Sequence, residues 1–115
     1  MTIEYDQLPK NEANYVALSP ISFLHRTADI YPDHEALIYH DTHYTWSEVR
    51  QRCVSVAASL VSLGIGKNQT VSVFAYNTPE MYELHFAVPM AGGVLNTINT
   101  RLDAETVAYI IDHAV

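Results

Sequence analysis

The sequence predicts an α/β fold: a partial parallel sheet with flanking helices and a small N-terminal hairpin. Three observations carry that reading. The β-branched run Thr70-Val71-Ser72-Val73-Phe74-Ala75 suits a buried strand. A second strand pattern, Val94-Leu95-Asn96-Thr97-Ile98, follows a helical stretch long enough to cross between parallel strands. The order from Thr70 onward is therefore strand, helix, strand, helix, the alternation typical of α/β folds. A parallel sheet needs cover on both faces, and two strands are few, so the architecture is expected to be incomplete.

Residues 1–18 are polar and contain Pro9, which predicts an extended arm ahead of a folded unit over 19–115. Ser19-Pro20 opens the first helix. Serine caps it, and proline at the first helical position loses no hydrogen bond. Ile21, Leu24 and Ala28 form its apolar stripe, and Pro32 ends it. Ala36–Tyr39 reads as a short strand, 40–43 as a turn, and Tyr44-Thr45 as the returning strand of a hairpin.

Thr45-Trp46-Ser47-Glu48 has capping-box spacing, in which each end residue can satisfy the other's backbone N–H. The helix that follows carries Val49, Cys53, Val56, Ala57, Leu60 and Val61 on one face. Gly64 is placed to take a left-handed cap. Thr78-Pro79-Glu80 predicts another helix start, with Met81, Leu84, Ala87 and Val88 as its stripe and Gly92-Gly93 at its end. Asp103 predicts the cap of a last helix bearing Val107, Ile110 and Ile111.

Composition excludes several function classes. The chain has 115 residues, 49% hydrophobic, enough to supply a core and unlike a disordered acidic tail. Its net charge is −7, and its six Lys and Arg are scattered. No basic patch exists to engage nucleic-acid phosphates, and no basic amphipathic helix to engage anionic membrane. No apolar run is long enough for a membrane span. The N-terminus has no apolar core of a signal peptide, and the C-terminus carries no peroxisomal signal. A single cysteine, Cys53, cannot form an internal disulfide.

Residues that could carry chemistry mostly have simpler explanations. Neither a Walker-type loop nor G-x-G-x-x-G is present. Gly64-Ile65-Gly66 and Gly92-Gly93 both follow helices, where caps and turns explain them. His40, Asp41 and His43 flank one turn without a third ligand nearby, so no metal site is predicted. His25 and His34 lie on separate elements, and His85 is expected to be packed or partly exposed beside an apolar stripe. Cys53 falls on an apolar helix face, where a thiol is inert with a raised pKa. Glu80 and Glu83 are expected to offset the dipole at a helix start. No nucleophile elbow occurs, and no catalytic residue is assigned.

Three stretches then go beyond periodicity. Asn14-Tyr15-Val16-Ala17-Leu18-Ser19-Pro20-Ile21-Ser22-Phe23-Leu24 resembles the opening of plant acyl-activating enzymes. Tyr44-Thr45-Trp46-Ser47-Glu48, with Leu63-Gly64-Ile65 after it, is similar to the helix start and cap of adenylate-forming enzymes. The run from Glu83 through Val94-Leu95-Asn96-Thr97-Ile98-Asn99-Thr100-Arg101-Leu102 resembles short- and medium-chain carboxylate–CoA ligases of that family. The resemblance spans about Asn14 to the last residue.

It implies the first subdomain of the large N-terminal domain of an AMP-forming acyl-CoA synthetase. Such enzymes adenylate a small carboxylic acid with ATP and Mg²⁺, release pyrophosphate, and transfer the acyl group to CoA. The family's phosphate loop, adenine-binding motif and catalytic lysine lie downstream of this segment. The segment alone is therefore expected to be inactive, to bind none of these cofactors, and to self-associate through uncovered strand edges. A non-enzymatic interaction module or a truncated remnant is the alternative. Peroxisome or cytosol is the compartment implied. Arg101 aligns with a position where some members direct an arginine to the nucleotide end of CoA; a surface arginine near a helix start is the other reading.

Overall fold

The computed structural model describes residues 7–114. Residues 8–19 form irregular chain with one turn and no helix or strand, and part of the arm expected over 1–18 lies outside the described residues. The remainder reads α1 (Pro20–Ile30), β1 (Glu35–Tyr39), β2 (Thr42–Thr45), α2 (Trp46–Ser62), β3 (Thr70–Phe74), α3 (Pro79–Met90), β4 (Val94–Ile98) and α4 (Ala104–His113).

The helix starts follow local chemistry. Ser19 accepts from the Ser22 N–H at 3.2 Å, and the Ser22 hydroxyl accepts from the Ser19 N–H at 3.2 Å. Thr45 and Glu48 close the same reciprocal box at α2, with the Glu48 carboxylate accepting from the Thr45 N–H at 2.8 Å. Asp103 accepts from the Thr106 N–H at 3.0 Å, and those bonds hold its carboxyl below the usual range. Thr78 differs. It has extended backbone but makes no side-chain cap bond. Its hydroxyl bonds Glu80 instead, which lowers the Glu80 carboxyl.

β1 and β2 pair antiparallel, with Tyr39 opposite Thr42. The turn is thus two residues, His40-Asp41, tighter than the four expected. His40 makes this possible by taking a left-handed conformation, φ 53°. β3 and β4 pair in parallel, in register from Thr70↔Val94 to Phe74↔Ile98. Together these make the predicted α/β arrangement of a small antiparallel hairpin and a parallel pair.

Two clusters hold the elements together. Leu24, Val49 and Cys53 form the first, joined by Leu37, Tyr44 and Trp46 from the hairpin side and by Tyr82 and Phe86 from α3. Ala57, Ala87 and Ala91 form the second, where small side chains let α2 and α3 approach closely. α3 packs on both α2 and β4, so α2 meets the parallel strands chiefly through α3, while it touches the hairpin strands directly. Gly93 seals this region. A Cβ there would sit 3.1 Å from the Gln69 carbonyl oxygen, 3.1 Å from Ile65 and 3.2 Å from Val88.

Cover over the parallel pair is uneven. Phe74 is 56% exposed, whereas Ile98 is 4% exposed. α4 buries none of its residues, and Tyr109 and Ile111 lie open to solvent.

Candidate functional site

Parallel pairing brings the loops after β3 and β4 side by side. Crevices at the carboxyl ends of parallel strands are where open α/β sheets bind ligands. Here such a cavity holds about 540 Å³, walled by Ala75–Asn77, by Met81 and His85 of α3, and by Thr97–Arg101. A second cavity of about 650 Å³ opens between the hairpin and α3, with Leu37, Ile38, Pro79, Tyr82 and Phe86 in its walls. Asn77, Met81 and His85 line both.

Arg101 belongs to the first cavity. The Asn99 side-chain oxygen accepts from the Arg101 N–H at 3.0 Å and fixes the loop that carries it. Its guanidinium makes no ion pair among the described residues. His85 of α3 lines the same cavity, exposed, with Nδ1 donating to the Met81 carbonyl at 2.8 Å. That bond assigns the proton to Nδ1 and leaves Nε2 as an acceptor. Thirteen acidic residues occur in the chain, yet among the described residues no carboxylate lines either cavity. The crevice is thus a locally cationic place on an acidic protein, suited to an anion.

Other candidates separate in space. His43 pairs with Glu35 at 2.5 Å, while His40 packs edge-on against Tyr39. His34 stacks on Tyr31. Among the described residues no group of three or more His, Cys, Asp or Glu could hold a metal ion.

Glu83 requires a correction. It was expected to offset the dipole of α3, but it is 2% exposed. Arg52 of α2 grips it, Nε donating to Oε1 and a terminal nitrogen donating to Oε2 at 3.2 Å. The same guanidinium lies 4.5 Å from the centre of the Tyr44 ring. The Glu83 hydrogen bond, partly opposed by desolvation, holds the Arg52 pKa above its ordinary value. The signal was present in the spacing: Glu83, Ala87 and Met90 stand at i, i+4 and i+7, on one helical face.

Cys53 is fully buried, as its place on the apolar face predicted. Burial first, and the Glu83 carboxylate second, push its thiol up to about 11. At pH 8 only about one folded molecule in a thousand carries the thiolate. Ellman's reagent is therefore expected to leave Cys53 unmodified in the native chain and to react at once in urea. Because the folded value is raised, the stability this thiol contributes is complete below its ordinary value, 9.0, and is lost as pH rises towards about 11. Rapid native labelling at pH 8 would show that the α2–α3 contact opens readily.

Residues 24–115 match the family model described as AMP-binding enzyme. The chain belongs to the AMP-binding enzyme family. Among its relatives, the peroxisomal benzoate–CoA ligase of Arabidopsis thaliana is 55% identical over 109 residues, covering 95% of this chain and 19% of the relative. The peroxisomal butyrate–CoA ligase of the same plant is 53% identical over the same coverage. The chain thus spans about a fifth of the length of the curated relatives it matches. Among solved structures, the N-terminal subdomain of NpsA from Klebsiella oxytoca, in complex with 3-hydroxyanthranilyl-AMSN, gives a TM-score of 0.78. That likeness covers 83% of this chain and 24% of the other at 22% identity, and it shows the fold. No helix among the described residues is long and apolar enough to cross a membrane.

Proposed function

We propose that this chain is the N-terminal part of an AMP-forming carboxylate–CoA ligase, with residues 1–18 as an arm and 19–115 as the start of its AMP-binding domain. The intact enzyme would activate a small aliphatic or aromatic acid with ATP and pass the acyl group to CoA. The observation carrying this is the identity above 50% with benzoate– and butyrate–CoA ligases across 95% of the chain. The peroxisomal assignment of both relatives makes the peroxisome the proposed compartment.

The residues present fit these ligands unequally. A nucleotide triphosphate with Mg²⁺ needs a phosphate cradle and carboxylate or hydroxyl ligands for the ion. Neither a glycine-rich loop opening a helix nor a metal-binding cluster occurs among the described residues, so no step is assigned here to ATP or its metal. CoA fits better. The Arg101 guanidinium stands in an acid-free crevice and offers a planar fork of N–H donors to phosphate oxygens. Its role is to bind and orient the nucleotide end of CoA.

In a full-length enzyme containing this segment, Arg101→Ala is expected to raise the KM for CoA roughly 10- to 100-fold. That follows from about 1.5–3 kcal/mol for a hydrogen bond to a charged group. Acyl-adenylate formation should be unchanged. Lower adenylation with an unaltered CoA dependence would refute the assignment. The 115-residue chain alone is expected to give no benzoate- or butyrate-dependent ATP–pyrophosphate exchange. Exchange above a protein-free blank would overturn the reading of it as a part of the enzyme.

A further inference from the structure

Arg101 alone offers one positive charge to the strand-end crevice, and a phosphate monoester at neutral pH carries close to two negative ones. The geometry points to His85 as the second cation of a phosphate site in this crevice, gained on protonation at Nε2. The inference rests on the reading of Arg101 as an anion contact and adds a second residue and a pH dependence to it.

Three observations converge. His85 and Arg101 line the same cavity, one from α3 and one from the loop after β4. The Nδ1–H of His85 is committed to the Met81 carbonyl at 2.8 Å, which fixes the ring and reserves Nε2 for the cavity's contents. Among the described residues, the other titratable or charged groups lining the two cavities that meet at His85 are Tyr39 of the hairpin, Tyr76 of the loop after β3, Tyr82 of α3, and Arg101. None is a carboxylate, so a protonated imidazole would find no anionic partner in the cavity walls. Its counter-ion must come from the ligand.

The chemistry follows. A neutral His85 accepts a hydrogen bond at Nε2 and repels the lone pairs of a phosphate oxygen. A protonated one donates there, beside the Arg101 fork, and completes a two-cation clamp. Imidazoles change charge between roughly pH 5 and 8. Dianion binding and proton uptake are therefore linked, and affinity is highest on the acid side and falls as pH rises through the titration of His85.

Sulfate is a suitable probe because it stays a dianion throughout this range. In the 115-residue chain, saturating sulfate is expected to move the titration of the His85 Cε1–H signal upward by about one pH unit. By the same linkage the Kd for sulfate weakens about tenfold from pH 5.5 to pH 8.5. His85→Gln should bind sulfate with the weak, high-pH affinity at every pH. Arg101→Gln should lose binding throughout.

An unchanged His85 titration, with sulfate binding that still depends on Arg101, would overturn the role of His85 and leave the Arg101 reading standing. Binding that survives Arg101→Gln unchanged would remove both. Adenosine 3′,5′-bisphosphate bound more tightly than sulfate, with the same His85 shift, supports the site as one for a nucleotide phosphate. Equal affinity, with that shift, supports it as a site for free phosphate.

Discussion

Replacing Arg52 by alanine is expected to cost about 3–5 kcal/mol of folding stability, the usual consequence of stripping one partner from a buried ion pair. The loss comes from what remains. Glu83 keeps a side chain only 3% exposed, while that of Arg52 is 37% exposed, so truncation strands the buried charge and spares the solvated one. The Tyr44 ring also loses the guanidinium lying over its face. Domains of this size are stable by only about 5–15 kcal/mol, so the variant should lose a large share of its stability. A urea titration followed by circular dichroism measures this. The paired replacement Arg52→Met with Glu83→Leu should recover much of the loss, because apolar side chains of similar volume carry no desolvation penalty. A loss below about 1 kcal/mol in Arg52→Ala would mean that Glu83 finds another donor or water.

Leu24→Ala should be nearly as damaging, by about 2–5 kcal/mol. Leu24 is 2% exposed and is α1's contribution to the cluster it shares with Val49 and Cys53 of α2. Truncation leaves a void that three helices and the hairpin border, and packed helices collapse into such a space only partially. The neighbouring Phe23 is a control, since it is 53% exposed. Phe23→Ala should change stability by no more than about 0.5 kcal/mol despite the larger side chain removed. At about 4–8 °C per kcal/mol, Leu24→Ala should melt at least roughly 8 °C lower. Equal effects of the two substitutions would place the core elsewhere.

Much of the fold was legible because its signals are local. Ser19-Pro20, the Thr45–Glu48 box and Asp103 each act within three or four residues, and each marks a helix start in the structure. The β-branched runs at 70–74 and 94–98 likewise pair as expected. What was missed depends on partners distant in sequence. Glu83 looks like a dipole-facing acid until α2 brings Arg52 beside it from 31 residues away. The site divides the same way. Arg101 emerged from the resemblance, whereas the crevice depends on the register that brings 75–77 beside 99–101, and on α3 turning His85 into it. No window of the sequence contains that juxtaposition.

The last helix adds a point about motion. α4 has a good N-terminal cap but buries none of its ten residues. A helix of that length has little intrinsic stability in water, and packing normally supplies the rest. Its amides are therefore guarded by one cap and its own ladder, while those of α2 lie behind the main core. The two helices are expected at different ends of the local-opening spectrum: hydrogen exchange should find α4 fraying at small free-energy cost and α2 protected up to global opening. Arg101 sits on the boundary between those regimes, two residues before the cap, so the loop that presents its guanidinium is anchored on one side by a strand and on the other by a helix free to melt.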